Sequence, residues 1–349
     1  DFSIKVTQET FSNALQPVEI AEEASRGAEH KLTDKETSQC RGLIMKAQWR
    51  AVQTAFQYCA RVGIAASALT DPRVSNLKEA NSILKEMKKT AKEDLYFHAF
   101  NFGRTTEEKL TWKDVVAVHF GDAGHKSRGD GSSTGGYITG FAEPCILQGA
   151  EAKMSIIDWR SWKLDRPAKG TNSTESQGLY EAEDRGWRVR LLWAILNGEE
   201  LNRKNAVELA ASMESLLVTD SRGLYDSVTS SESPLLGMAN SRTGVEVAAI
   251  QKALRDDGRC YLTWVPSDIN LADSLTKATV DAFKVAATYL ERKTWVVRFN
   301  HDFVSARKQQ RLRKAKELQE AATSTSPSSP EWDSYVEELF EPSVPQLRE

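Results

Sequence analysis

The feature that most constrains the fold is a run of three strand-like segments followed by helices alternating with strands. Valine-rich and aromatic segments predict strands at 112–120, 135–141 and 152–159, with short loops between them, which is typical of an antiparallel meander. A long helix is predicted over 173–196, and two more strands at 215–219 and 261–265, each followed by helical periodicity. The pattern therefore predicts an α/β fold with one mixed five-stranded sheet and helices packed on its faces.

The length of 349 residues indicates about two domains. Apolar residues at helical spacing before the sheet region, such as Leu77, Ala80 and Leu84, predict a small helical unit. We expect a loose entry segment at 1–34, this helical unit at 35–100, the sheet domain at 110–280, a helical extension with a basic run at 281–320, and a disordered acidic tail at 321–349.

Composition limits the partners and the setting. Lys and Arg total 46 against 49 Asp and Glu, a net charge of -3, so nucleic-acid binding must come from local basic patches. The 4 cysteines form no C-x-x-C pair, which favours a reducing, intracellular setting, cytoplasmic or nuclear. No apolar run reaches the length of a membrane span and no signal peptide is evident, so we expect no membrane partner. Because the sequence begins with Asp1 rather than Met, we expect a fragment of something longer.

Four acidic residues occupy comparable places in this layout. Asp122 follows the first strand, Asp220 ends the fourth, Glu175 lies in the first turn of the long helix, and Asp273 lies in the first turn of the helix after the fifth strand. Functional groups gather at strand ends and at the start of the following helix in open sheets. If the first and fourth strands are neighbours, their aspartates converge, and Glu175 reaches the same point from its helix.

Converging carboxylates repel one another unless a cation neutralises them. Oxygen ligands suit Mg²⁺ or Mn²⁺, and the lack of a His/Cys cluster argues against zinc. Two such ions about 4 Å apart support hydrolytic phosphoryl transfer. Any one acid at such a position is more often a cap or a turn residue, so the prediction depends on the agreement among the four.

The motifs around these acids resemble the ribonuclease H domain of copia-type LTR retrotransposon Pol polyproteins. The matching stretches are Asp122-Ala123, Ser133-Thr134-Gly135-Gly136-Tyr137, Ser173-Thr174-Glu175, Asp220, Val265-Pro266 and Leu271-Ala272-Asp273-Ser274-Leu275-Thr276-Lys277. The last stretch is the most specific. The resemblance covers roughly residues 35–280, and its upstream part is similar to the helical segment that follows the polymerase palm in those polyproteins.

This resemblance implies a ribonuclease H-like mixed five-stranded sheet and endonucleolytic cleavage of the RNA strand of RNA–DNA hybrids with two Mg²⁺ ions, with Mn²⁺ as a possible substitute. It implies that Asp122 and Asp220 contact both ions, that Glu175 holds one and that Asp273 completes the other. The implied partners are an RNA–DNA hybrid and the remainder of the Pol polyprotein. No Tyr-x-Asp-Asp motif occurs, so no polymerase active site is expected here.

Three departures from the family pattern favour slow turnover or a degenerate copy. Gly124 and His125 stand where a tryptophan is usual, Gly178 interrupts the long helix, and the loop just before Asp273 contains Pro266-Ser267-Asp268 instead of the catalytic histidine of retroviral ribonucleases H. A decayed or domesticated copy that only binds nucleic acid or a partner is therefore the first alternative. An integrase or transposase is less expected, because its glutamate comes last, on a late helix. His125 is a candidate proton shuttle but is better explained as a loop residue.

Candidate substrate contacts surround the acids. The hydroxyl and amide groups of Ser132, Ser133, Thr134, Asn172 and Ser173 are candidate contacts to a hybrid backbone, although turn and cap roles explain them equally well. Arg160, Lys163, Arg166 and Lys169 form a basic stretch before Glu175 that is suited to phosphates. Trp159 and Trp162 are predicted to belong to the sheet rather than to stack on bases. The basic run from Arg307 to Lys316 is predicted either to bind nucleic acid or to form a solvated helix.

Overall fold

A six-stranded mixed sheet forms the centre of the chain in the computed structural model, which describes residues 3–21, 26–100, 112–230 and 241–298. Its strands are β3 (Val116–Gly124), β4 (Thr134–Ala142), β5 (Ala152–Lys163), β6 (Ser215–Thr219), β7 (Cys260–Trp264) and β8 (Thr294–Trp295), in the spatial order β7-β6-β3-β4-β5-β8. Two further strands, β1 (Ile4–Val6) and β2 (Leu95–Phe97), pair with each other. The described residues belong to one compact unit, Asp1–Phe299.

The strand pairing follows the order predicted from the sequence. β3, β4 and β5 form an antiparallel meander, and β6 and β7 add in parallel to the other edge of β3. This confirms the predicted α/β fold with a mixed sheet and flanking helices. The sixth strand was not predicted, because β8 has two residues, too few for an alternating pattern to be visible. It pairs antiparallel with β5 and interrupts the helical extension expected at 281–320.

Ten α-helices occur in the described ranges. They are α1 (Glu9–Ala14), α2 (Asp34–Gln53), α3 (Cys59–Ser67), α4 (Val74–Lys89), α5 (Thr171–Leu196), α6 (Ala206–Ala211), α7 (Arg222–Thr229), α8 (Ser241–Asp257), α9 (Asp273–Thr276) and α10 (Val280–Arg292). The start of α2 is fixed by a capping box, which the Thr33 hydroxyl and the Glu36 carboxylate form.

Within the predicted entry segment 1–34 the structure contains β1, which gains its partner only from β2 about ninety residues later. One sequence prediction about local structure is wrong. Helix α5 begins at Thr171 with Gly170 as the N-cap, not at Ser173 or Thr174. The backbone N–H groups of Ser173 and Thr174 already donate to the Gly170 carbonyl at 3.1 and 3.3 Å. Glu175 therefore lies in the second turn of the helix rather than in the first.

The helical segment of α2, α3 and α4 packs against the sheet. Leu43, Phe56 and Leu77 belong to the same buried cluster as Val118 and Ile138 of the sheet. At the edge of this interface, the Trp159 indole N–H donates to the Ala51 carbonyl at 3.1 Å. One hydrophobic core thus serves both segments. The division of the chain into separately folding domains stays a prediction.

Glycines let α5 lie unusually close to the central strand β3. A Cβ on Gly178 would stand 2.5 Å from the Asp122 carbonyl oxygen, and one on Gly186 would stand 2.5 Å from the His119 ring. Real Cβ atoms do not approach backbone this closely. Gly178, which interrupts the family pattern, therefore has a packing role beside Asp122 and is not by itself a sign of decay.

The predicted basic run and acidic tail lie outside the described residues. Within the described ranges, no helix is both long and apolar enough to cross a membrane.

Gly178→Ala is expected to destabilise the protein by about 2 kcal/mol, because the new methyl group forces α5 away from β3. The matched control is Gly42→Ala on the exposed face of α2, where a Cβ would meet nothing within 4 Å. There alanine should raise stability by up to about 1 kcal/mol. Urea unfolding followed by circular dichroism measures both. Equal stability of the two variants would contradict the close packing of α5.

Candidate metal centre

Three of the four predicted acids meet at one end of the sheet. Asp122 lies near the end of β3, Asp220 directly follows β6, and Asp273 opens α9. Because β3 and β6 are parallel neighbours, their ends point the same way and bring the first two together. One carboxylate oxygen from each of Asp122, Asp220 and Asp273 lies within 4.8 Å of the others. We call these three residues the acid cluster.

Helix α9 packs directly against β4 because Gly136, the residue of β4 that faces it, has no side chain. A Cβ on Gly136 would stand 2.6 Å from Leu275 Cβ and 2.8 Å from Thr276 Cγ2. Leu275 is fully buried in the main core cluster. Gly136 of the β4 motif and the Leu-Ala-Asp-x-Leu-Thr-Lys stretch are thus two sides of one contact, and this contact sets the position of Asp273.

Glu175 adjoins the acid cluster from α5 without belonging to it. Its Oε2 accepts a hydrogen bond from the Ala123 backbone N–H at 3.2 Å, and its side chain is buried. Burial, followed by the charges of Asp122 and Asp220, raises the pKa of Glu175 well above its ordinary value. Glu175 therefore experiences the charge of the cluster, and its role as a metal ligand stays a prediction.

Asp122 is the buried centre of the cluster, with 1% of its surface exposed. Its Oδ2 accepts a hydrogen bond from the Thr276 hydroxyl. Its Oδ1 is buried and has no hydrogen-bond partner in the part of the chain that the structure describes. An unpartnered buried carboxylate oxygen is costly. An oxygen-only donor set with an orphaned atom fits a hard divalent cation, so the residues present match the metal that the sequence implies.

Asp220 is held by the loop between β7 and α9. The Ser267 hydroxyl donates to Asp220 Oδ2 at 2.7 Å, and the buried Asn270 amide donates to Asp220 Oδ1 at 3.1 Å and to the Gly121 carbonyl at 3.3 Å. This is the loop in which the sequence lacks a histidine. Sequence reasoning missed Asn270, whose only signal was its place three residues before Asp273.

Lys277 is the second residue that sequence reasoning missed as a site residue. Its Nζ lies 2.7 Å from Asp273 Oδ1 and 3.8 Å from Asp122 Oδ2. Lys277 was visible in the sequence as the last residue of the specific motif, but the motif alone did not show where its ammonium group goes. The Lys277 side chain thus places a positively charged ammonium group beside the acid cluster.

Burial and mutual repulsion make Asp122 and Asp273 reluctant to ionise. Burial first, and then the neighbouring carboxylates, raise the pKa of Asp122 to about 6 and that of Asp273 to about 8. Lys277 opposes these shifts in both residues. With a pKa of about 8, Asp273 retains its proton at neutral pH in the absence of a further cation, and a bound cation would displace it.

The predicted hydroxyl and amide contacts have mixed accessibility. Ser133 and Thr134 are buried and bonded internally: Ser133 Oγ accepts from the Lys126 N–H at 3.0 Å and Thr134 Oγ1 from Arg128 Nε at 3.0 Å. Ser173 is also buried, Ser132 is half-buried, and Asn172 is exposed. The role of all five as substrate contacts stays a prediction.

The predicted basic stretch is exposed but already paired. Arg160 lies 3.7 Å from Glu181, Lys163 lies 2.6 Å from Asp130, and Arg166 pairs with Glu246. Lys169 is exposed. The exposed Lys163–Asp130 pair and the longer Arg160–Glu181 pair contribute little stability, whereas Glu246, the partner of Arg166, is buried.

The neighbouring aromatic and imidazole groups belong mainly to the fold. Trp159 packs against the main core beside Phe56, and Trp162 packs against Tyr137 on the opposite face of the sheet. His125 is half-buried, with Nδ1 unpartnered among the described residues, and it lies outside the acid cluster.

Comparison with solved structures finds similarity to an RNase H1 and to foamy virus protease-reverse transcriptases. RNase H1 from the halophilic archaeon Halobacterium salinarum matches 46% of this chain and 93% of its own, at 17% identity and a TM-score of 0.29. The foamy viral protease-reverse transcriptase in complex with an RNA/DNA hybrid matches 57% of this chain, at 16% identity and a TM-score of 0.31. Native prototype foamy virus protease-reverse transcriptase matches 56%, at 11% identity and a TM-score of 0.29.

The present chain spans about a quarter of the two viral proteins, 26% and 23% of their length. No model of a known protein family matches the sequence, and no curated protein does. The fold class is therefore defined by the strand order and connectivity of the sheet, and not by similarity to these solved structures.

Stability without divalent ions is expected to fall as pH rises from about 4 to 8. The pKa values of Asp122 and Asp273 are raised in the folded state, so the folded protein binds protons that the unfolded chain has already released. Thermal unfolding in EDTA across this range measures the effect. Adding Mg²⁺ should remove most of the decline, since the ion replaces the protons. A metal-free melting temperature that rises over the same range would contradict the raised values.

Proposed function

We propose that this chain is the ribonuclease H part of a retroelement Pol polyprotein of the copia type. It hydrolyses the RNA strand of RNA–DNA hybrids at the acid cluster, with two Mg²⁺ ions, and Mn²⁺ can replace them. The helices α2, α3 and α4 are the remnant of the reverse transcriptase that precedes it. The remainder of that polyprotein is the second expected partner.

One observation carries the proposal. The motif residues Asp122, Asp220 and Asp273 come from three separate parts of the sequence, yet their carboxylate oxygens lie within 4.8 Å of one another. The buried, unpartnered Oδ1 of Asp122 adds an acceptor that needs a cation. Structural carboxylates are usually satisfied by donors from the protein itself, so this arrangement favours a functional centre.

Each acid would have its own part in holding the ions. Asp122 and Asp220 would contact both, Glu175 would hold one and Asp273 the other. When bound, such ions align the phosphodiester and lower the charge on its oxygens. The chain's own part is orientation: Ser267 and Asn270 fix the Asp220 carboxylate, and the Thr276 hydroxyl fixes one oxygen of Asp122. Positioning of this kind supplies much of the rate in phosphoryl transfer.

The hybrid would approach along the loop between β5 and α5. Lys169 is exposed in this loop and Asn172 is exposed in the first turn of α5, six and three residues before Glu175. Phosphate groups would compete for Arg160 and Lys163, whose present partners are Glu181 and Asp130, and for Arg166, whose present partner is the buried Glu246. Binding of this kind would weaken steeply with salt.

A decayed copy that binds hybrids without cleaving them remains the rival function. The Asp273–Lys277 ion pair and the loop without histidine favour it. The close approach of Gly178 to Asp122 removes one of its supports. Hybrid binding without turnover in saturating Mg²⁺ and Mn²⁺ would establish this rival.

Asp122→Asn and Asp220→Asn are each expected to lower cleavage of a labelled RNA–DNA hybrid by at least about a thousandfold. Each removes a charge on which metal binding depends. The cleavage rates are measured by gel analysis of the RNA strand in millimolar Mg²⁺. The unsubstituted protein should leave double-stranded DNA intact.

The control for these variants is Asp281→Asn, which removes an exposed carboxylate from the first turn of α10. It should cleave at the unsubstituted rate. Cleavage that persists in both Asp122→Asn and Asp220→Asn would overturn the assignment of the site.

A further inference from the structure

We propose that Lys277 is a built-in counter-ion that occupies the acid cluster in the metal-free protein and leaves it when a divalent ion binds. This inference rests on the proposed function, since it concerns the metal that the function needs. It assigns Lys277 a positioning role: it keeps the carboxylates assembled until the metal arrives, and it sets how tightly the metal binds.

The first support is the place of the ammonium group. It bonds Asp273 Oδ1 at 2.7 Å and stands 3.8 Å from Asp122 Oδ2, so it touches the ligand set from which a metal would be bound. Asp122 is 1% exposed and Asp273 is 9% exposed at the side chain. A cation already paired with a buried carboxylate must give up that pair, or stay close and repel the incoming ion. Either way it weakens metal binding.

The second support is the way Lys277 is tethered. It caps the C-terminus of α9, and its backbone N–H donates to the Asp273 carbonyl at 3.0 Å. The backbone therefore stays fixed one helical turn from Asp273 while the long side chain can rotate. A single rotation of the side chain suffices to clear the cluster, and no helix has to move.

The third support is open space on the other side of the lysine. Lys277 also lines a cavity of about 460 Å³ between the helical segment and α10. Glu79 and Glu86 line the same cavity, where both pair with Arg61. The Lys277 side chain is 36% exposed, so it borders both the acid cluster and this cavity. The displaced ammonium thus has a solvent-accessible place to go.

Metal titration of the full chain without nucleic acid tests the inference. Lys277→Met keeps the length of the side chain and removes the charge. It should bind Mn²⁺ about tenfold more tightly than the unsubstituted protein, because no cation competes. It should also melt at a lower temperature in EDTA, because the carboxylates lose their counter-ion. Lys284→Met, on the same cavity but 71% exposed and paired with Asp281, should change neither quantity.

Amine acetylation gives a direct readout of where the lysine is. Acetylation of Lys277, followed by peptide mass spectrometry, should rise several-fold on adding Mg²⁺, while Lys284 reacts equally with and without the ion. Lys277→Arg, which keeps the charge, should retain weak metal binding and a normal metal-free melting temperature.

The outcomes separate this inference from the proposed function. Equal Mn²⁺ affinity in Lys277→Met and the unsubstituted protein, with no change in acetylation, would overturn the counter-ion role while leaving hybrid cleavage intact. Binding to Lys277→Met with little or none to the unsubstituted protein would support it strongly. Binding to neither protein would overturn both proposals.

Discussion

Burying several carboxylates in one place has a large electrostatic cost. The arrangement of the site follows from the groups that offset the repulsion between these carboxylates. The parallel pairing of β3 and β6 forces Asp122 and Asp220 together, and the contact of α9 with β4 adds Asp273. Partial protonation, the Lys277 ammonium and donors from Ser267, Asn270 and Thr276 each offset part of the repulsion. A divalent cation would offset more of it than any of these.

Close packing around the site depends on positions without side chains. Gly178 and Gly186 bring α5 against β3, and Gly136 brings α9 against β4. These glycines take no part in metal binding or catalysis themselves. They determine how near Glu175 and Asp273 come to Asp122, so packing and function are linked through the same short distances.

Much of the fold was predictable because its strands have strong local signals. The buried β6 was predicted at its observed bounds, Ser215–Thr219, since its apolar run ends abruptly at Asp220. β8 was not predictable, because a two-residue strand forms only when β5 is present to pair with it. The start of α5 was misplaced because Gly170 is a weaker N-cap signal than the Ser173-Thr174 pair that follows it.

The acidic residues of the candidate site were predictable from the sequence, but the residues that contact them were not. The strand-end and helix-start contexts of Asp122, Asp220 and Asp273 were visible in the sequence, and the structure brings these three together. The contacts of Asn270 with Asp220, of Thr276 with Asp122 and of Lys277 with Asp122 were not visible, because each joins residues that are fifty or more positions apart. Such contacts follow from tertiary packing, which local patterns do not encode.

The central claim is that the acid cluster is a divalent metal site. Anomalous diffraction from crystals of the full chain soaked in Mn²⁺ tests it most directly. We expect a manganese peak bounded by the carboxylates of Asp122, Asp220 and Asp273, and a second nearby once an RNA–DNA hybrid is bound. A Mn²⁺-soaked crystal with no peak at these residues, or with its strongest peak elsewhere on the described part of the chain, would contradict the account.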